Sequence, residues 1–135
     1  MAKSESGTPG GPLVVVIDDQ PQLEYDRNKA LSARQLEDLG KMDRQMDQGL
    51  RLASDWIDRP SALHRAQFVA VQLSEAFRRA DEALAAACCA YLADRLPDLK
   101  QVRAKSHGGS ISVELVFDKP FASETVITFV PRSTT

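Results

Sequence analysis

Ala83-Leu84-Ala85-Ala86-Ala87-Cys88-Cys89-Ala90-Tyr91-Leu92-Ala93 passes eleven residues with a single tyrosine hydroxyl as its only strongly polar side-chain group. Alanine and leucine favour helix, and no glycine or proline interrupts the run. A helix that is apolar on every side has no face to offer water. This stretch therefore predicts a helix buried all round, with its small side chains letting neighbouring backbones approach closely.

Upstream, Leu63, Ala66, Ala70, Leu73, Phe77, Ala80, Leu84, Ala87 and Tyr91 alternate steps of three and four, which is the spacing of one helical face. The pattern predicts either one long helix from about 61 to 95 or two nearly collinear ones, with Asp81 able to cap the second after a bend. Asp58 or Ser61 caps the start, and Leu96-Pro97 ends it. Before it, Ser32-Ala33-Arg34-Gln35 is a capping box, with Leu31 and Leu36 placed as a hydrophobic staple. Leu36, Leu39, Met42, Met46, Leu50, Ala53 and Trp56 or Ile57 then continue one apolar stripe, so a first helix is expected through Ile57. Gly40 and Gly49 are costs of about 1 kcal/mol each within it.

On either side of the helices the period falls to two. Leu13-Val14-Val15-Val16-Ile17 is a β-branched strand, and Asp18-Asp19-Gln20-Pro21-Gln22 carries turn chemistry that lets Leu23-Glu24-Tyr25 pair back as a hairpin. After Pro97, strands are expected over 99–104, 111–117 and 125–130, with the first turn at Ser106-His107-Gly108-Gly109-Ser110. The fold class read from this order is α+β. A long central helix or two near-collinear helices, plus a preceding helix, pack against a small, mostly antiparallel sheet. Residues 13–131 form one domain, and residues 1–12, rich in Gly, Pro, Ser and Thr, form a disordered tail.

With 135 residues and a net charge of −2, the chain can bury a real core but offers no general attraction to polyanions, which disfavours nonspecific nucleic-acid or membrane-surface binding. A basic set of Lys100, Arg103, Lys105 and Arg132 would need one strand face, which the parity of 100 and 103 denies it. No run reaches the roughly 18 apolar residues of a membrane span, and the first residues lack a signal-peptide core, so a cytoplasmic location is expected. The only cysteines, Cys88 and Cys89, are adjacent on a predicted helix. Their side chains diverge by about 100°, so they read as reduced, buried small hydrophobes.

Several residues invite chemistry. Val14-Val15-Val16-Ile17-Asp18-Asp19-Gln20-Pro21 resembles the opening of response-regulator receiver domains, in which an acidic pair after the first strand helps to hold magnesium beside a phosphorylated aspartate. The likeness covers eight residues, and the helical period over 32–57 leaves no place for the later phosphoacceptor strand. Asp43 and Asp47 stand one turn apart as paired carboxylates do, but they lie opposite the apolar stripe beside Arg44 and Arg51, where a solvated face is the simpler reading. His64 and His107 lack metal-ligand spacing, and neither a metal nor a cofactor is expected. His107-Gly108-Gly109 allows backbone amides to approach an anion, with Lys105 beside them, although Gly-Gly is also ordinary hairpin chemistry.

Catalytic motifs and phosphate loops are missing, and apolar helix surface is in surplus. The functional expectation is therefore a non-enzymatic protein-interaction or regulatory module with a protein partner. A homodimer is expected through a strip of Ala86, Cys89, Ala90 and Ala93 on the central helix. The alternative is a small anionic-ligand-binding protein or enzyme using the 105–110 turn, through Lys105, His107, Gly108 and Gly109.

Overall fold

Leu13–Ile17, β-branched from Val14 onward, forms the first strand, β1, of a computed structural model that describes residues 11–120. The expected tail falls largely within residues 1–10 and the last expected strand, 125–130, within 121–135, both outside the described residues. Asp18 and Asp19 both take left-handed backbone angles, with φ of 50° and 68°. That geometry is what a two-residue hairpin turn requires, and aspartate tolerates it better than most residues. The chain reverses there into β2, Gln20–Tyr25, so the expected hairpin forms with a tighter turn and a longer second strand. Among the described residues β2 is an edge strand, which accommodates Pro21, and a bulge between Val15 and Val16 shifts the register around Gln22.

The capping box at Ser32 is present as read: the Gln35 amide donates to Ser32 Oγ at 3.1 Å, and Gln35 Oε1 accepts from the Ser32 amide at 2.8 Å. Helix α1 runs from Ala33 only to Met46. Gly49, at φ 107°, turns the chain out of the helical path, and Leu50–Leu52 and Asp55–Ile57 form a small separate hairpin, β3 and β4. The expectation of helix through Ile57 is thus corrected by the glycine it treated as a tolerated cost.

Helix α2, Ala62–Arg78, opens on a second capping box in which Ser61 pairs reciprocally with His64. It closes on a Schellman motif: the Asp81 amide donates to Ala76 O at 2.8 Å and the Ala80 amide to Phe77 O at 3.2 Å. Ala80 supplies the left-handed residue, φ 56°, that the motif usually gives to glycine. Asp81 then caps α3, Glu82–Arg95, through a bond to the Leu84 amide.

The two helices are neither continuous nor collinear. Arg65 on α2 and Arg95 on α3 hold the same Asp43 carboxylate, whereas a straight path would set residues 65 and 95 about 45 Å apart. Helix α3 doubles back alongside α2 and α1. In its second half six consecutive residues, Cys88 to Ala93, are buried, so every side of this part of α3 meets protein.

Among the described residues, strands β5, Gln101–His107, and β6, Ser110–Val116, join β1 and β2 in a four-stranded sheet in the order β2-β1-β5-β6. Its outer pairs are antiparallel, while β1 and β5 run parallel at the centre, with Val15 opposite Val102. Leu13, Val15 and Val102 join the core with Leu39, Leu73, Cys88, Cys89 and Leu92. Val14 and Val16 point to the other face and are buried as well. On that face Gln101 donates to the Lys119 carbonyl at 3.1 Å and accepts from Arg103 at 2.8 Å. No helix among the described residues is long and apolar enough to cross a membrane.

Candidate functional site

The 105–110 turn lies at the end of the sheet where the Asp18-Asp19 turn also sits, because β1 and β5 run parallel and in step. Asp18 accepts from the Ser106 amide at 2.8 Å and from its hydroxyl at 3.2 Å. Asp19 pairs with Lys105 and with Arg103, each at 3.2 Å, and the hydrogen bond from Lys105 holds its carboxyl below the usual range. The acidic pair therefore ties the β1–β2 turn to β5, the parallel neighbour of β1. Lys105 faces a carboxylate, and His107 Nε2 lies 3.2 Å from Ser112 Oγ. Gly108 and Gly109 make the two-residue β5–β6 turn, with only Gly108 at positive φ. An anion arriving at this turn would compete with Asp19 for the nearest cation.

Of the strip expected at a dimer contact, Ala86 is exposed, whereas Cys89, Ala90 and Ala93 are buried within the chain itself. Burial pushes the Cys88 and Cys89 thiols up to about 12, so both are inert small hydrophobes at neutral pH.

Asp43 is not on a solvated face. It follows Leu39 by four and precedes Met46 by three, so it shares the buried side of α1. Its carboxylate accepts from Tyr91 Oη at 2.6 Å, Arg65 Nη1 at 3.2 Å, and Arg95 Nη2 and Nε at 2.9 and 3.2 Å. Arg65 also reaches Asp47 at 2.6 Å, and Arg95 touches Asp94. Burial pushes the Asp43 carboxyl up, but the Tyr91 hydroxyl and the two guanidiniums outweigh it and hold it below the usual range. Burial and then the Asp43 contact raise the Tyr91 hydroxyl. Each guanidinium nitrogen of Arg65 and Arg95 and the Tyr91 hydroxyl has an acceptor, and the knot joins α1, α2 and α3, so its chemistry is structural. Among the described residues no group of three or more His, Cys, Asp or Glu is arranged to hold a metal ion.

The site that folding leaves unexplained is at the β3–β4 hairpin. Arg51 and Trp56 are directly opposed in its ladder, so both side chains stand on one face, with the guanidinium 6.0 Å from the indole centroid. Trp56 Nε1 donates to Asp58 Oδ1 at 2.8 Å. The ring packs closely against Gly49, where a Cβ would sit 2.4 Å from Trp56 Cζ2. Held from three sides, Trp56 is nevertheless 54% exposed. Beside it, Met42 and Met46 of α1 and Phe68 and Val69 of α2 line an apolar groove of about 370 Å³, with Gln45 and Gln72 as neutral polar groups and Arg51 as the one charged residue. Sequence reasoning passed over it because Leu50, Ala53 and Trp56 fit a helical stripe. The Gly49 break followed by Leu50 and Leu52 at a period of two is the signal that finds it. Comparison of the chain with protein-family models, with curated proteins and with solved structures returned no match.

Proposed function

We propose that the chain is a non-enzymatic protein-interaction module, and that its contact surface is the groove beneath Trp56. The observation that carries this reading is the indole pinned by Gly49, Arg51 and Asp58 at the mouth of an apolar groove while more than half exposed. A fixed, exposed tryptophan adds little to folding, yet tryptophan and arginine are the side chains that most often dominate protein interfaces. Methionines in the wall let such a groove adapt to branched or aromatic side chains. Arg51 sets the charge, so the occupant is an apolar segment of a partner protein bearing an Asp or Glu at its edge.

The test is selection of peptides from a random display library on the folded chain, with counter-selection on Trp56→Ala. Enriched sequences are expected to combine apolar residues with an acid. Synthetic versions should shift the fluorescence of Trp56, the one tryptophan in the chain, and should lose affinity on Arg51→Glu. Peptides that bind Trp56→Ala as well as wild type, or leave the fluorescence unchanged, would overturn the proposal.

A further inference from the structure

A separate cleft, sharing no lining residue with the Trp56 groove, opens between the segment that follows β2, the first turns of α1 and the second half of α3. Its volume is about 440 Å³, within the range of small-molecule sites. From α3 the methyl groups of Ala90 and Ala93 form its floor and Asp94 joins the lining, while Leu31, Leu36 and Pro97 supply the apolar sides. Leu36 lines it and is 49% exposed, an apolar side chain the core does not use.

The polar lining is unbalanced. Arg27 is fixed by the main chain: its Nη1 donates to the carbonyls of Pro97 at 2.6 Å and Leu96 at 3.4 Å, and its Nη2 to that of Leu99. Its Nε is buried without a hydrogen-bond partner among the described residues. Neither Arg27 nor Lys29, the second cation of the lining, forms an ion pair among the described residues. The one carboxylate of the lining, Asp94, is already engaged by Arg95. Asp98 acts on Arg27 from beyond salt-bridge distance, but among the described residues no carboxylate contacts either cation, so the pair beside an apolar floor is complementary to a single negative charge on an apolar body.

We infer that this cleft binds a small organic monocarboxylate, its carboxylate toward Arg27 and Lys29 and its apolar body over Ala90, Ala93 and Leu36. The assignment is independent of the Trp56 groove. Titration calorimetry of the full chain with octanoate tests it, with octanol and octylamine as probes of the same body. Saturable octanoate binding is expected, with octanol at least tenfold weaker and octylamine weaker still. Lys29→Ala should weaken octanoate roughly tenfold, the factor that corresponds to about 1.4 kcal/mol. Leu36→Glu, at an exposed position, brings a carboxylate to the lining without touching the core and should abolish binding with the melting temperature kept. Ala93→Leu should fill the floor to the same effect, and Leu36→Glu decides the matter if that variant fails to fold. Octanol binding as tightly as octanoate, no binding of octanoate at millimolar concentration, or binding indifferent to Lys29→Ala and Leu36→Glu would each overturn the assignment.

Discussion

Ala80→Gly is expected to stabilise the protein, and Ala86→Gly to destabilise it, although the chemical change is the same. Ala80 occupies the left-handed position that closes α2, where its Cβ crowds the following carbonyl at a cost of about 1–2 kcal/mol. Glycine removes that cost but gives the unfolded chain more freedom, worth about 0.5–1 kcal/mol in the opposite direction. The net gain is about 0.5–1 kcal/mol, or roughly 2–5 °C in melting temperature for a chain of this size. Ala86 is exposed within α3, where glycine simply costs about 1 kcal/mol. Urea unfolding followed by circular dichroism separates the two variants, with an unchanged m value showing that the folded and unfolded states keep their extents. Were residues 61–95 one continuous helix, both substitutions would destabilise by similar amounts. Loss of stability in Ala80→Gly comparable to that in Ala86→Gly would therefore refute the Schellman turn and the doubled-back α3.

Asp43→Asn should cost about 2 kcal/mol at pH 7, because the carboxylate is partly buried and receives charge-assisted bonds from three side chains. Its folded pKa lies below that of a free aspartate, so the stabilisation is complete above the free value and is lost as pH falls through the folded one; urea unfolding at pH 7 and in acid should show the gap between wild type and variant closing as pH falls. Gly49→Ala should cost about 1–3 kcal/mol, since φ 107° and the Trp56 ring both oppose a Cβ, and should alter Trp56 fluorescence; adding Trp56→Ala should recover part of the loss in a double-mutant cycle. Cys88 and Cys89 should resist an aromatic disulfide reagent at pH 8 in the folded protein and both react in urea, and rapid reaction without denaturant would contradict their burial.

What the sequence made legible was local. Ser32 and Gln35 declare a helix start within four residues, Val14 to Ile17 declare a strand, and Gly108-Gly109 declare a turn, because the deciding contacts lie within a few positions. The end of α1 was harder, since Leu50, Ala53 and Trp56 satisfy a period of three and a half while Leu50 and Leu52 satisfy a period of two; only the left-handed angle of Gly49 separates them. Asp43 was beyond reach for a different reason. Its partners Arg65, Tyr91 and Arg95 come from other helices, and no local pattern distinguishes a carboxylate awaiting three distant donors from one facing water. The same holds for the doubling back of α3, which turns on a single left-handed alanine, and for the two clefts, whose walls converge only in the folded chain.

The parallel contact of β1 with β5 orders events during synthesis. Val14 is made early, but its ladder partner Gln101 follows only after all three helices. At a ribosomal pace of about 5–20 residues per second, the β1 edge waits on the order of 5–20 s for that partner. Throughout that interval the N-terminal hairpin presents Val14, Val15 and Val16 with one bare edge, a template for any extended chain nearby. The nascent protein is therefore most prone to aggregate just before β5 leaves the ribosome, and chaperone protection matters most over that span.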